Sequence, residues 1–201
     1  MRESIECSEP TMNKFETWFC GSHFWRYVTR RQLLPWILEG SDLGEHVLEL
    51  GAGPGAATEE LRMRAARVTS LEYDHRFAAR LGARVSNTNA SVIQGDAATL
   101  PFADGSFSSA VAILMLHHLR CTEQQDRAFA EIWRTLQPGG VFVAFEIQDG
   151  WLHRVAHIRS TFVPVAPASA FARLTTAGFS KVTVDIRRGG FRIRALRARE
   201  C

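Results

Sequence analysis

The stretch Val47-Leu48-Glu49-Leu50-Gly51-Ala52-Gly53-Pro54-Gly55 decides the fold of this chain. His46 to Leu50 reads as a short apolar strand, and three glycines follow it within five residues. Glycine permits a tight turn and lets a ligand approach the backbone closely. A helix from about Ala56 to Arg64 is expected next, with unpaired N–H groups at its start. In an open parallel sheet, the carboxyl edge of such a strand is where ligands bind.

Downstream, strands and helices alternate. Arg67 to Glu72 reads as a second strand and His75 to Leu81 as a helix. Ser91 to Gln94 is a third strand, ending in Gly95-Asp96. Ala110 to Leu116 is an unbroken apolar run, as expected of a strand covered on both faces. Glu123 to Leu136 has helical spacing, Pro138-Gly139-Gly140 is a turn, and Val141 to Ile147 is a fifth strand. Ser169 to Ala177 is helical with Gly178 at its C′ position. Val182 to Ile186 and Phe191 to Leu196 flank a glycine-containing turn and read as an antiparallel hairpin. The fold class is therefore α/β: a Rossmann-like, mainly parallel sheet with an antiparallel terminal hairpin and helices on both faces.

At 201 residues, with 46% hydrophobic and 22% charged composition, a single core-bearing domain is the economical expectation. A formal charge of +3 is too small to imply a nucleic-acid partner. No apolar run reaches the roughly 18 residues of a membrane span, and the first residues lack a signal-peptide pattern. Cys7, Cys20, Cys121 and Cys201 are scattered without a CxxC pair, which argues against a zinc site or disulfide framework. A cytoplasmic protein is expected.

The glycine loop does not name its ligand. Gly51-x-Gly53-x-x-Ala56 also satisfies the dinucleotide fingerprint, and Glu72 lies about twenty residues on, where a ribose-binding acid belongs. The remainder of the chain discriminates. A dinucleotide fold continues with a second mononucleotide-binding half, whereas this chain ends in a hairpin. Gly95-Asp96-Ala97, followed by Leu100-Pro101-Phe102, sets a carboxylate at the end of the third strand, suited to an adenine amino group.

The chain resembles the class I S-adenosylmethionine-dependent methyltransferases of the small-molecule, ubiquinone-biosynthesis-like (type 11) group. The resemblance rests on Leu48 to Gly55, on Gly95-Asp96-Ala97 with Leu100-Pro101-Phe102, on Leu114-Met115-Leu116-His117-His118-Leu119, and on Glu131 to Gly140. It spans roughly residues 43–198 and implies a seven-stranded sheet whose last strand is antiparallel. Residues 1–41 would form a helical lid and residues 42–201 the methyltransferase domain. The implied cofactor is S-adenosyl-L-methionine, leaving as S-adenosyl-L-homocysteine. Glu49, Gly51, Ala52, Gly53 and Gly55 would hold its methionine end, Glu72 its ribose, and Tyr73, Asp96 and Ala97 its adenine, with Leu114 also expected to touch the cofactor. One departure is visible: the family usually has Phe-Asp where this chain has Phe107-Ser108, a position expected before the fourth strand.

Methyl transfer to oxygen or nitrogen calls for a base. His117 and His118 follow the fourth strand, and a histidine titrates near neutrality. Glu146, after the fifth strand, is the matching candidate acid. Each also has a plain structural reading, in packing or as a strand-end carboxylate. His153 and His157 are four apart, but two ligands make a weak metal site, and no metal is expected. In the lid, Trp18, Trp25 and Tyr27 are candidate walls for an apolar or aromatic acceptor, with Arg26 for a carboxylate. The alternative for these rings is packing on the sheet, or a membrane-surface helix.

The expected function is O-methylation of a small acceptor by a monomer or homodimer. An RNA or protein methyltransferase is the competing enzyme, supported by Arg187, Arg188, Arg192, Arg194, Arg197 and Arg199. A non-catalytic S-adenosylmethionine-binding protein and a nicotinamide dehydrogenase are the remaining readings.

Overall fold

In the computed structural model, seven strands form one sheet in the order β3-β2-β1-β4-β5-β7-β6. The strands are β1 (His46–Leu50), β2 (Arg67–Glu72), β3 (Ala90–Gln94), β4 (Phe107–Ile113), β5 (Leu136–Ile147), β6 (Ser180–Arg187) and β7 (Gly190–Leu196). Neighbours pair in parallel up to β5, and β7 runs antiparallel to both β5 and β6. The structure describes residues 13–187 and 189–199, without the side chains of Lys14 and Phe15. Cys7, Arg188, Cys201 and the first part of the expected lid lie outside the described residues.

The helices are α1 (Lys14–Gly21), α2 (His23–Val28), α3 (Leu34–Leu38), α4 (Thr58–Leu61), α5 (His75–Val85), α6 (Thr122–Thr135), α7 (Trp151–Ala156) and α8 (Pro167–Thr176). A wider π-helical turn joins α2 to α3. Among the described residues no helix is long and apolar enough to cross a membrane. One face of the sheet is sealed by Phe129 and Ile132 of α6 and by Ala170 and Leu174 of α8, packed on Phe142, Phe191 and Ile193. The other is sealed by Leu34, Ile37 and Leu38 of α3 and by Leu81 and Val85 of α5. The end of the expected lid is thus core.

β1 and β2 have the bounds expected from sequence. Three elements differ in ways that shape the cleft, while others, such as α5, only extend beyond the expected bounds. The helix after the glycine loop is one turn, Thr58–Leu61, because the carbonyls of Arg62 and Ala65 turn away to accept from the Asn89 amide (2.9 Å each). β4 ends at Ile113, three residues early: Leu114 is left-handed (φ 54°) and a 3₁₀ turn, Leu116–His118, follows. β5 begins at Leu136, before the expected turn. Its register against β4 jumps from Phe107↔Leu136 to Ser109↔Val141, so Pro138-Gly139-Gly140 leave the ladder as a bulge.

Ser108 lies inside β4, not before it. Its hydroxyl donates to Leu43 O (2.8 Å) and accepts from His46 N (2.9 Å), fastening the chain that enters β1. A carboxylate there has no proton for Leu43 O, and the Ser108 side chain fills the space a Cβ at Gly44 would need. Loss of a half-buried donor and acceptor together costs on the order of 1 kcal/mol. Ser108→Ala is therefore expected to lower the urea midpoint by a corresponding amount with an unchanged slope.

Candidate functional site

A cleft of about 800 Å³ opens at the carboxyl ends of the central strands, floored by the glycine loop and roofed by α1 and α2. Gly51, Gly53 and Gly55 have φ of 69°, 50° and 79°, left-handed conformations that side chains resist. Gly51 N–H donates to Leu71 O (2.9 Å), drawing the loop against β2. A Cβ at Gly51 would collide with Met115, and one at Gly55 with Arg84 and Leu81. Gly53 differs: nothing lies within 4 Å of its Cβ position, which is open to the cleft.

Three carboxylates stand along this edge. Glu49 on β1 is buried, and its Oε2 accepts from Ser70 Oγ (2.6 Å) and Thr58 Oγ1 (2.7 Å), which leaves Oε1 uncommitted by them. Glu72 ends β2 and accepts Gly53 N–H at Oε2 (2.7 Å) and Asp74 N–H at Oε1 (2.9 Å). Each Glu72 oxygen keeps a second lone pair. Burial pushes both carboxyls above the usual range, and the hydrogen bonds they accept oppose that shift. Asp96, past β3, uses Oδ1 to accept Ala98 N–H (2.8 Å). Tyr73, Ala97 and Leu114 line the same cleft, and Tyr73 accepts a hydrogen bond from Arg120 (2.8 Å). The cofactor residues expected from sequence are thus brought together, except Gly55, which is buried against Arg84 and Leu81 and does not line the cleft.

The catalytic candidates separate. His118 lines the cleft, its Nδ1 facing the Thr161 carbonyl at 3.2 Å. Burial, reinforced by His117 and His157, drives its pKa well below the usual histidine value. His117 points inward and is 2% exposed, with Nδ1 at 2.5 Å from Glu146 Oε2. Glu146 is fully buried, and its Oε1 accepts the N–H groups of Met115 (3.0 Å) and Leu116 (2.7 Å). It is therefore neither a solvated strand-end acid nor a group facing an acceptor. It positions the turn after β4.

The lid candidates separate too. Trp18 and Trp25 line the cleft; Tyr27 is 61% exposed and outside it, and Arg26 reaches back to Gly21 O (3.4 Å). Thr17, Cys20 and Thr29 line the cleft as well. Cys20 is held as a thiol, its pKa pushed up to about 11 by burial and by Glu16. Thr29 is buried with its hydroxyl unpartnered among the described residues. Helical spacing from Thr17 to Cys20 and from Trp25 to Thr29 would have revealed them, but they are small or polar and an apolar pattern passes over them.

His153 and His157 do not pair as ligands. His153 Nδ1 turns to Gln148 O (2.8 Å), while His157 joins His117 and His118.

The methyltransferase domain family matches residues 48–144, just under half of the chain. The demethylmenaquinone methyltransferase of Thermobifida fusca is 37% identical over 106 residues, covering 51% of this chain and 44% of that protein. Over that stretch the chain is similar to methyltransferases. It spans about half the length of the curated relatives it matches. A chain from the complex of the Haloferax volcanii Trm112 methyltransferase activator with a methyltransferase has the same fold, with a TM-score of 0.73 at 18% identity, covering 94% of this chain and 99% of that one. A phosphoethanolamine N-methyltransferase of Haemonchus contortus, solved with S-adenosylhomocysteine, gives 0.67 at 12% identity, covering 87% of this chain and 59% of that one.

The loop geometry gives a graded expectation. Gly53→Ala meets only left-handed strain, about 1 kcal/mol. Gly51→Ala adds a collision with Met115, raising the cost to about 2–4 kcal/mol. Denaturant unfolding of the two variants should rank them in that order.

Proposed function

We propose that this chain binds S-adenosylmethionine in the cleft and transfers its methyl group to a small apolar or aromatic acceptor, at oxygen. The observation that carries the reading is the row of Glu49, Glu72 and Asp96 at successive strand ends beside the glycine loop, each with acceptor capacity to spare. A diol, an amino group and an ammonium are the partners such carboxylates suit. Open space at Gly53 supports the close approach of a ligand to the loop backbone. These residues fit the cofactor: Glu72 for the ribose hydroxyls, Asp96 with the Ala97 backbone for adenine, Glu49 and the loop for the methionine end.

When bound, S-adenosylmethionine supplies a methyl group already activated on a sulfonium. The chain must then align the acceptor and, for a hydroxyl, remove its proton. Trp18 and Trp25 are the acceptor's apolar walls in this reading. His118 takes the proton. Its Nδ1–H donates to a carbonyl, so the neutral ring carries its lone pair on Nε2. The name of the Thermobifida fusca relative, a demethylmenaquinone methyltransferase, supports a quinone-like acceptor.

A screen with methyl-labelled cofactor over phenols, quinones, sugars, fatty acids and amines tests the proposal. Label should pass to the oxygen of a phenol or hydroquinone; transfer only to carbon or nitrogen, only to RNA or protein, or none, would contradict it. His118→Ala should lower turnover by about 100-fold or more while S-adenosylhomocysteine affinity holds. Equal losses in both would assign the ring a structural role.

A further inference from the structure

Beside the acceptor end of the cleft, His117, His118 and His157 bring one ring nitrogen each to within 4.8 Å of one another. Three separate elements supply them and their neighbours: the turn after β4, the residue following α7, and α1. Each ring has committed its Nδ1. That of His117 faces the Glu146 carboxylate at 2.5 Å, that of His118 the Thr161 carbonyl at 3.2 Å, and that of His157 the His153 carbonyl at 2.6 Å. Carbonyl oxygens only accept, so Nδ1 carries the proton in His118 and His157, and the carboxylate draws it there in His117. In the neutral rings each Nε2 is therefore left with a lone pair.

The fourth wall makes the pattern specific. Glu16 Oε1 lies 3.1 Å from His157 Nε2 and also accepts from Ser160 Oγ (2.8 Å). Its Oε2 accepts from Asn13 N (2.6 Å) and closes the cap of α1. His157 Nε2 thus faces a carboxylate oxygen, to which it donates when the ring is protonated; a metal ion would take the place of that proton, and two further imidazoles stand close by. A carboxylate or carbonyl on Nδ1 with Nε2 turned inward is the arrangement that fixes histidine ligands on a metal. Phe162 stacks on His157 at 4.4 Å and screens the group.

We propose that His117, His118, His157 and Glu16 bind one divalent ion of the zinc class. Three imidazoles and a carboxylate are a donor set for such an ion, and four protein ligands close its tetrahedron. Bonds of about 2.0–2.1 Å space tetrahedral donors by about 3.3 Å, so the rings draw in by roughly 1 Å on binding. The ion ties α1 to the turn after β4, pinning the lid. It also occupies the His118 lone pair, so the loaded chain loses the base assigned above; that consequence rests on the proposed function, whereas binding itself does not.

Calorimetric titration of the metal-free chain with Zn²⁺ tests the site. One ion should bind per chain and raise the melting temperature. His157→Ala and Glu16→Gln should each weaken binding more than tenfold, and His153→Ala should leave it unchanged. Circular dichroism of the variants without metal verifies that they fold, and His118→Gln offers a second ligand removal if His157→Ala does not. Absence of Zn²⁺ binding, equal affinity in the folded ligand variants, or an equal loss in His153→Ala would overturn the proposal.

Discussion

The buried carboxylate of Glu146 is the constraint on which the working end of this molecule depends. Past Ile113 the β4 ladder stops, and the N–H groups of Met115 and Leu116 enter the interior with no strand to pair with. Each would cost about 1–3 kcal/mol if left unsatisfied. Glu146 accepts both on one oxygen and holds His117 with the other. With the turn fixed, Leu114 sits left-handed at the cleft, its N–H donating to Phe145 O (2.8 Å). Met115 packs against Gly51, His117 turns inward and His118 outward. Gly51 in turn leans on β2, and Gly53 is clamped by Glu72. One acid on β5 therefore sets the shape of the floor, the histidine pair and the loop opposite.

Strands were the most legible elements because an apolar run bounded by polar residues carries its own evidence of burial. His46–Leu50 and Arg67–Glu72 could be read to the residue for that reason. The glycine edge of the cleft is legible from local signals as well: three glycines after β1, then an acid at the end of β2 and another after β3. These positions depend on strand ends, which a single segment reveals.

The acceptor side depends on contacts far apart in the chain. Glu146 looked like a solvated strand-end acid until β7 and the turn after β4 enclosed it. His157 meets His117 across forty residues, and Glu16 meets His157 across far more. Asn13 and Glu16 spell a capping box in sequence, but nothing local indicates that Asn13 also donates to Ala156 O (2.8 Å), tying α1 to the segment after β5. The helix after the glycine loop was overread because Thr58-Glu59-Glu60-Leu61 has ordinary helical character, while Asn89, which ends it, lies on another element. A one-turn helix aligns few peptide dipoles. In the proposed reading, ligand binding at this loop therefore comes mainly from close backbone approach and from the carboxylates.

In the proposed reading, cofactor chemistry belongs to the sheet edge, and acceptor chemistry to the small cluster where α1, the turn after β4 and the segment after α7 meet. A crystal structure of the chain with S-adenosylhomocysteine tests the central claim most directly. Ribose hydroxyls should lie on Glu72, adenine against Asp96 and Ala97, and the amino-acid end on the Gly51–Gly53 backbone beside Glu49. The ligand lying elsewhere, or Glu72 and Asp96 making no contact with it, would contradict the account.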